Sequence, residues 1–234
     1  MSRRDNIAKE QRKQAQQSKK LARKQKNREE LERVIIACEG EVTEVTYFKD
    51  FFDELIQTHH IAKTSLVIAK HKHTNPTGVL KDLIKELECD SDFEHKWIVI
   101  DRDEEMVGGG GNTKEDFNSA LAIAKSKKIN VAYSNPSFEI WYLLHFEFRN
   151  TAIDRYEVVE NLAKLIGYEK NQLGMFNMLK NSQMNAISNA KKLLSTYEFG
   201  GEGHVPSEDN PSTAVHRLIE VLNNLMHNLN GNHA

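Results

Sequence analysis

Val34-Ile35-Ile36-Ala37-Cys38 runs directly into Glu39-Gly40-Glu41-Val42-Thr43-Glu44, and Trp97-Ile98-Val99-Ile100 runs directly into Asp101-Arg102-Asp103-Glu104-Glu105. Short apolar runs rich in Val and Ile, with helical patterns between them, read as buried parallel strands. Open α/β sheets bind ligands outside the carboxyl ends of their strands, so both acidic clusters are expected at one edge of one sheet. Carboxylates that converge without matching Lys or Arg repel one another unless a cation lies between them. Hard oxygen ligands favour Mg²⁺ or Mn²⁺. The two motifs therefore point to a metal-dependent phosphoryl-transfer site.

Outward from these strands the chain alternates. Residues 43–56 carry Val45, Phe48, Phe51, Phe52, Leu55 and Ile56 on one helical face. A second strand is expected at 65–69, followed by the basic loop Lys70-His71-Lys72-His73; Asn75-Pro76-Thr77-Gly78 then opens a second helix. After the strand at 96–100 come Gly108 to Gly111, a helix over 113–127, a strand over 130–134 and a nearly apolar helix over 137–146. This β-α-β-α-β-α-β-α order is that of a doubly wound parallel sheet. From 151 onward the strand signal fades, and 154–166, 184–196 and 211–228 read as amphipathic helices, the last capped by Asn210 with Pro211 in its first turn. The expectation is an α/β protein, a Rossmann-like parallel sheet flanked by helices. It divides into a basic flexible or helical arm (1–30), an α/β domain (31–150) and a helical C-terminal extension packed on the body (151–234).

Of 234 residues, 39% are hydrophobic, enough for a full core once the polar N-terminal segment is set aside. Residues 1–28 hold eleven Lys or Arg against two acids, about +9, although the whole chain is near −2. That split reads as a basic arm beside an acidic body. The arm lacks an apolar face, so it is either a solvated tail, a phosphate-backbone contact for nucleic acid, or a segment that docks on the acidic body and occludes it. No apolar run is long enough for a membrane span, and the N-terminal stretch lacks the h-region of a secretory signal, so a cytoplasmic location is expected. Cys38 and Cys89 lie on apolar segments without a Cys-x-x-Cys pair and read as packed, reduced thiols.

Side chains alternate along a strand, so Asp101 and Asp103 share a face and can present two carboxylates to one metal or to two neighbouring metals; Glu39 supplies a third. Glu105 continues the alternation. Glu44 lies in the first turn of the following helix, where it complements the helix dipole or joins the site. Glu139 sits on an apolar helix and needs a partner if buried, either a metal or a catalytic neighbour. Lys70, His71, Lys72 and His73 follow the second strand on the same edge, where they hold a substrate phosphate or form a solvated loop. Arg102, on the opposite face from its neighbours, pairs with a nearby acid or contacts substrate. His145 reads as a core histidine, while His216 and Arg217 read as surface or packing residues. The glycine run is not followed by Gly-Lys-Ser/Thr, so it is a tip or lid rather than a nucleotide-binding loop.

Glu-Gly after a first strand and Asp-x-Asp after a later one resemble the Toprim domain of topoisomerases, primases and several nucleases. The wider set is more specific: Ile35 to Phe48, Asp101-Arg102-Asp103-Glu104, Tyr133-Ser134-Asn135-Pro136-Ser137-Phe138-Glu139-Ile140-Trp141 with His145-Phe146, and Asn210-Pro211-Ser212-Thr213. It is similar to the RloB (AbiLii-like) family, Toprim-type proteins of bacterial anti-phage and restriction loci, over residues 30–225. This resemblance implies a Mg²⁺-dependent endonuclease acting on RNA (tRNA included) or DNA, with an ATPase partner encoded in the same locus. It further implies Glu39 as general acid/base and Asp101 and Asp103 as metal ligands. Arg102 stands where many Toprim domains carry Pro. The alternative is a catalytically silent module that senses nucleic acid or a nucleotide signal and regulates the ATPase.

Overall fold

The computed structural model describes residues 32–70, 72–103, 112–198 and 203–231. The arm, His71, Glu105 and Gly108–Gly111 lie outside the described residues. In chain order the elements are β1 (Val34–Cys38), α1 (Thr43–His59), β2 (Leu66–Ile68), α2 (Pro76–Cys89), β3 (His95–Asp101), α3 (Lys114–Ser126) and β4 (Asn130–Asn135). There follow α4 (Glu139–Leu143), α5 (Arg155–Ile166), α6 (Met175–Leu179), α7 (Gln183–Glu198), β5 (Ser212–Thr213) and α8 (Val215–Gly231).

The sheet order is β2-β1-β3-β4-β5. The first four strands are parallel, and β5 joins β4 antiparallel. The strands carry two cores because their side chains alternate. Val34, Ile36, Cys38, Trp97 and Val99 face the layer containing α1 and the C-terminal helices, while Ile35, Ala37, Ile98 and Ile100 face α2 and α3. Strands buried on both sides need continuous apolar runs, and β1 and β3 have them. The C-terminal helices contribute Val158, Leu162, Ala190, Leu218 and Leu222 to the same core as α1. They therefore share the core of the sheet.

Local chemistry sets the helix boundaries. Pro76 occupies the first turn of α2. Thr113 caps α3 by accepting from the Asp116 N–H at 3.1 Å. Asp154 and Glu157 form a capping box that starts α5, and Gly167, at φ 68°, ends it in a left-handed conformation that favours glycine. On α1 the buried aromatic face centres on Tyr47, which packs edge-on to Phe48, Phe138 and Phe176 and whose hydroxyl accepts from Trp141 Nε1 at 3.0 Å.

Four local expectations differ from the structure. The apolar helix at 137–146 is α-helical only over Glu139–Leu143, so Glu139 opens the helix instead of sitting a turn inside it. Asn210-Pro211-Ser212 does not start the last helix. Ser212–Thr213 pairs with the otherwise open edge of β4, the Asn210 carbonyl oxygen Oδ1 accepts from the Ile153 N–H at 3.1 Å, and the helix begins at Val215. Satisfying the β4 edge outweighs the local start signal. Cys89 is exposed because it is the last residue of α2; Cys38 is buried as expected. The short helix α6 was not anticipated.

Candidate active site

The sheet is extended by β2 beyond β1 on one side and by β4 beyond β3 on the other, so the direction of winding reverses between β1 and β3. That reversal opens the crevice where doubly wound sheets bind ligands. Glu39 stands just beyond β1, its N–H continuing the ladder to the Val99 carbonyl at 2.9 Å, and Asp101 is the last residue of β3. The two motifs touch: Glu39 Oε2 accepts from the Asp101 N–H at 3.1 Å. Asn112 fastens them, donating from Nδ2 to Glu39 Oε1 at 2.5 Å and to the Asp101 carbonyl at 3.1 Å.

Two further carboxylates close on this pair. Glu44, in the first turn of α1, is buried, and its Oε1 bends back to accept from the Gly40 N–H at 3.1 Å. A Cβ on residue 40 would lie 2.0 Å from Glu44 Oε2, which explains the glycine in Glu39-Gly40. Glu139 is 1% exposed. Its Oε2 accepts from Ser137 Oγ at 2.8 Å and its Oε1 from Tyr168 Oη at 3.1 Å, and Lys170 Nζ ion-pairs with it. The loop between α5 and α6 delivers Tyr168 and Lys170. It has left-handed residues at Gly167 (φ 68°), Asn171 (φ 65°) and Gly174 (φ 75°), and is pinned where Thr43 Oγ1 donates to Asn171 Oδ1 at 3.3 Å.

Asp103 ion-pairs through Oδ2 with Arg155, the first residue of α5. Its N–H donates to the Pro136 carbonyl at 3.0 Å, across the cis Asn135–Pro136 peptide bond, and its carbonyl accepts from the Asn112 N–H at 2.7 Å. Asp101 Oδ2 accepts from the Phe138 N–H at 3.1 Å. The other oxygens, Asp101 Oδ1 and Asp103 Oδ1, are buried with no hydrogen-bond partner among the described residues. Buried carboxylate oxygens rarely go unpaired, because each forfeits its hydration without replacement.

The electrostatics follow from this crowding. Burial pushes the Glu39 carboxyl up to about 8, against the pull of Asn112 and the Asp101 N–H. Burial, then Glu44, Glu39 and Glu139, hold Asp101 well above the ordinary carboxylate range. Glu44 is raised by burial and by Glu139. Asp103 is raised because burial outweighs its Arg155 partner. Glu139 alone is lowered: burial acts upward, but Lys170 and Ser137 more than offset it. Among the described residues five carboxylates thus face two cations, an excess of negative charge that a buried site tolerates only by holding protons or by gaining a cation.

The remaining sequence candidates have other partners. Arg102 donates from Nε to the Ser207 carbonyl and from Nη1 to the Asn112 carbonyl, both at 3.2 Å, so it secures the 203–209 loop and Asn112, and it pairs with no acid among the described residues. Lys72 and His73 donate their backbone N–H groups to Asp82 Oδ2 at 2.9 and 3.0 Å, and His73 Nδ1 lies 2.8 Å from Asp82 Oδ1. The exposed Lys70 and Lys72 side chains leave the carboxyl edge from β2, one strand outside the crevice. His145 is a core histidine, bonded through Nδ1 to the Trp141 carbonyl at 2.8 Å. His216 is also buried, so of the surface and packing roles open to it the packing one is taken.

Among the described residues no three Asp, Glu, His or Cys side chains stand at the spacing of a metal shell. Asn112, Arg155 and Lys170 hold Glu39, Asp103 and Glu139 in hydrogen bonds and ion pairs of their own. The residues nonetheless fit a hard divalent cation: every donor is a carboxylate oxygen, two of those oxygens are buried and unpartnered, and net charge is negative. Asn112, Arg155, Tyr168 and Lys170 were not legible as site residues.

No curated protein and no solved structure matches the chain. Among the described residues no helix is long and apolar enough to cross a membrane. A family model, described as RloB-like protein, matches residues 34–222, the stretch that carries every element of the sheet and all five clustered carboxylates, and the chain therefore belongs to the RloB-like family.

Proposed function

We propose that this chain is a Mg²⁺- or Mn²⁺-dependent nuclease of Toprim type that hydrolyses phosphodiester bonds in nucleic acid. The observation that carries the reading is the excess of buried carboxylates at the switch point of the sheet, two of them with oxygens that find no partner among the described residues. Asp101 and Asp103 would hold the cation, with Glu39 beside them. When bound, the cation supplies positive charge to a phosphodiester oxygen and lowers the pKa of an attacking water. Glu39, fixed by Asn112 and the Asp101 N–H, takes up and returns the proton at its Oε atoms. Tyr168 and Ser137 hold Glu139 in place. Action in anti-phage defence beside an ATPase encoded in the same locus belongs to this proposal through the family resemblance.

Cleavage of mixed RNA and DNA substrates, with Mg²⁺ and with chelator, tests it. Metal-dependent cleavage that D101A and D103A each reduce by about 100-fold or more, with the fold retained by circular dichroism, is expected for groups that stabilise transition-state charge. Binding without turnover in the wild-type protein would instead identify a sensing module, and full cleavage by both variants would remove the two aspartates from the mechanism.

A further inference from the structure

The five clustered carboxylates come from α1, β3, α4 and the segments just beyond β1 and β3, whereas both cations paired with them among the described residues come from the C-terminal part: Arg155 from the start of α5 and Lys170 from the loop after it. The two sets also differ in depth. The side chains of Lys170 and Arg155 are 47% and 29% exposed, while those of their partners Glu139 and Asp103 are 1% and 16% exposed. The cations therefore sit at the mouth of the site and the anions at its floor.

We propose that Arg155 and Lys170 are exchangeable counter-ions, which hold the acidic site while it lacks a divalent cation and turn outward onto the phosphates of a nucleic-acid strand when one binds. This inference rests on the metal-dependent reading above. Asp103 offers one oxygen to Arg155 and has the other buried without a partner among the described residues, so a cation that enters must share this carboxylate with a guanidinium. Like charges that compete for the same carboxylate weaken one another. The displaced groups are long and tethered at the mouth, and the next anion available there is the substrate backbone. A guanidinium matches two phosphate oxygens in a planar fork, which gives Arg155 a second partner as good as its first. Lys170 is a point charge on a glycine-flanked loop whose fastening runs through Glu139 and Thr43. It can leave Glu139 without disturbing the helices on either side. The consequence is positive linkage: metal and nucleic acid each tighten the other, because each removes the groups that oppose it.

The sign of the effect separates this role from simple structural support. Removing a competing cation should strengthen metal binding and weaken nucleic-acid binding, whereas loss of a structural ion pair weakens both. Mn²⁺ affinity of the full-length protein is measured by calorimetry for wild type, R155M, K170M and the charge-conserving R155K. Affinity for a fluorescently labelled oligonucleotide, in RNA and DNA forms, is measured with Ca²⁺ and with chelator. R155M and K170M are each expected to tighten Mn²⁺ about tenfold and weaken the oligonucleotide about tenfold, an ordinary size for coupling between two ligands. R155K keeps the charge but not the planar fork, so it should leave Mn²⁺ affinity near wild type and weaken the oligonucleotide less than R155M does. Should one neutral variant fail to fold, the other carries the test, since each cation pairs with a different carboxylate. Unchanged or weakened Mn²⁺ affinity in a folded variant overturns the exchange and leaves the nuclease reading standing. Absence of Mn²⁺ binding in every protein overturns both.

Discussion

The acidic site should make the metal-free protein less stable as the solution becomes alkaline, the reverse of what paired surface carboxylates do. Glu39 ordinarily loses its proton near 4.5, but burial lifts its folded-state value to about 8. Between those values the unfolded chain has released a proton that the folded chain retains, so stability falls as pH rises, by about 1.4 kcal/mol per pH unit for one group. Below about pH 6.5 two other groups oppose the trend. His145 and His216 are pushed down by burial to about 4, so the unfolded chain takes up their protons first and stability is lost as pH falls. The gain in stability on acidification should therefore level off below about pH 6.5. From 6.5 to 8 Glu39 alone should lower it by about 1.5–2 kcal/mol, of which the last histidine protons leaving the unfolded chain should offset less than about 1 kcal/mol. Asp101 is raised by burial and by its acidic neighbours, and adds to the fall with the same sign. Urea denaturation of chelator-treated protein at half-unit steps measures this. Saturating Mg²⁺ should flatten the alkaline limb, since a cation compensates the ionised carboxylates, and E39Q should flatten it in the absence of metal. A metal-free stability that is constant or rises from pH 6.5 to 8 would show that the cluster is not desolvated as described.

Two further perturbations probe separate parts of the argument. G40A places a methyl group where Glu44 Oε2 stands, 2.0 Å away, so it should displace that carboxylate, lower Mn²⁺ affinity several-fold and leave the circular dichroism spectrum unchanged; calorimetry checks it, and wild-type affinity would place Glu44 outside the site. Deletion of residues 1–28, which carry about +9, should weaken nucleic-acid binding and flatten its dependence on ionic strength if the arm contacts the phosphate backbone; stronger binding after deletion would instead identify the arm as occluding the acidic body.

Much of the fold was legible locally. Strand runs such as Val34–Cys38 are continuous because both faces are buried, and the helices between them declare themselves by spacing, so a parallel sheet with the acidic clusters at one edge followed from sequence alone. Glu39, Asp101 and Asp103 were legible for the same reason: residues directly behind core strands share the edge where the strands end. Tertiary structure decided what surrounds them. Asn112 reaches Glu39 across 73 positions, Arg155 reaches Asp103 across 52 and Lys170 reaches Glu139 across 31, and no periodicity links residues so far apart in the chain. Whether Glu44 merely serves a helix dipole or closes a buried site depended on how α1 seats against α4, and α4 was misjudged in length because only packing determines where so short a helix ends. The fate of Asn210-Pro211-Ser212 turned on an open strand edge that the sequence does not reveal. Local pattern depends on which face of an element is apolar, and is written in neighbouring residues; desolvation and charge pairing depend on which elements meet, and exist only once the chain has folded.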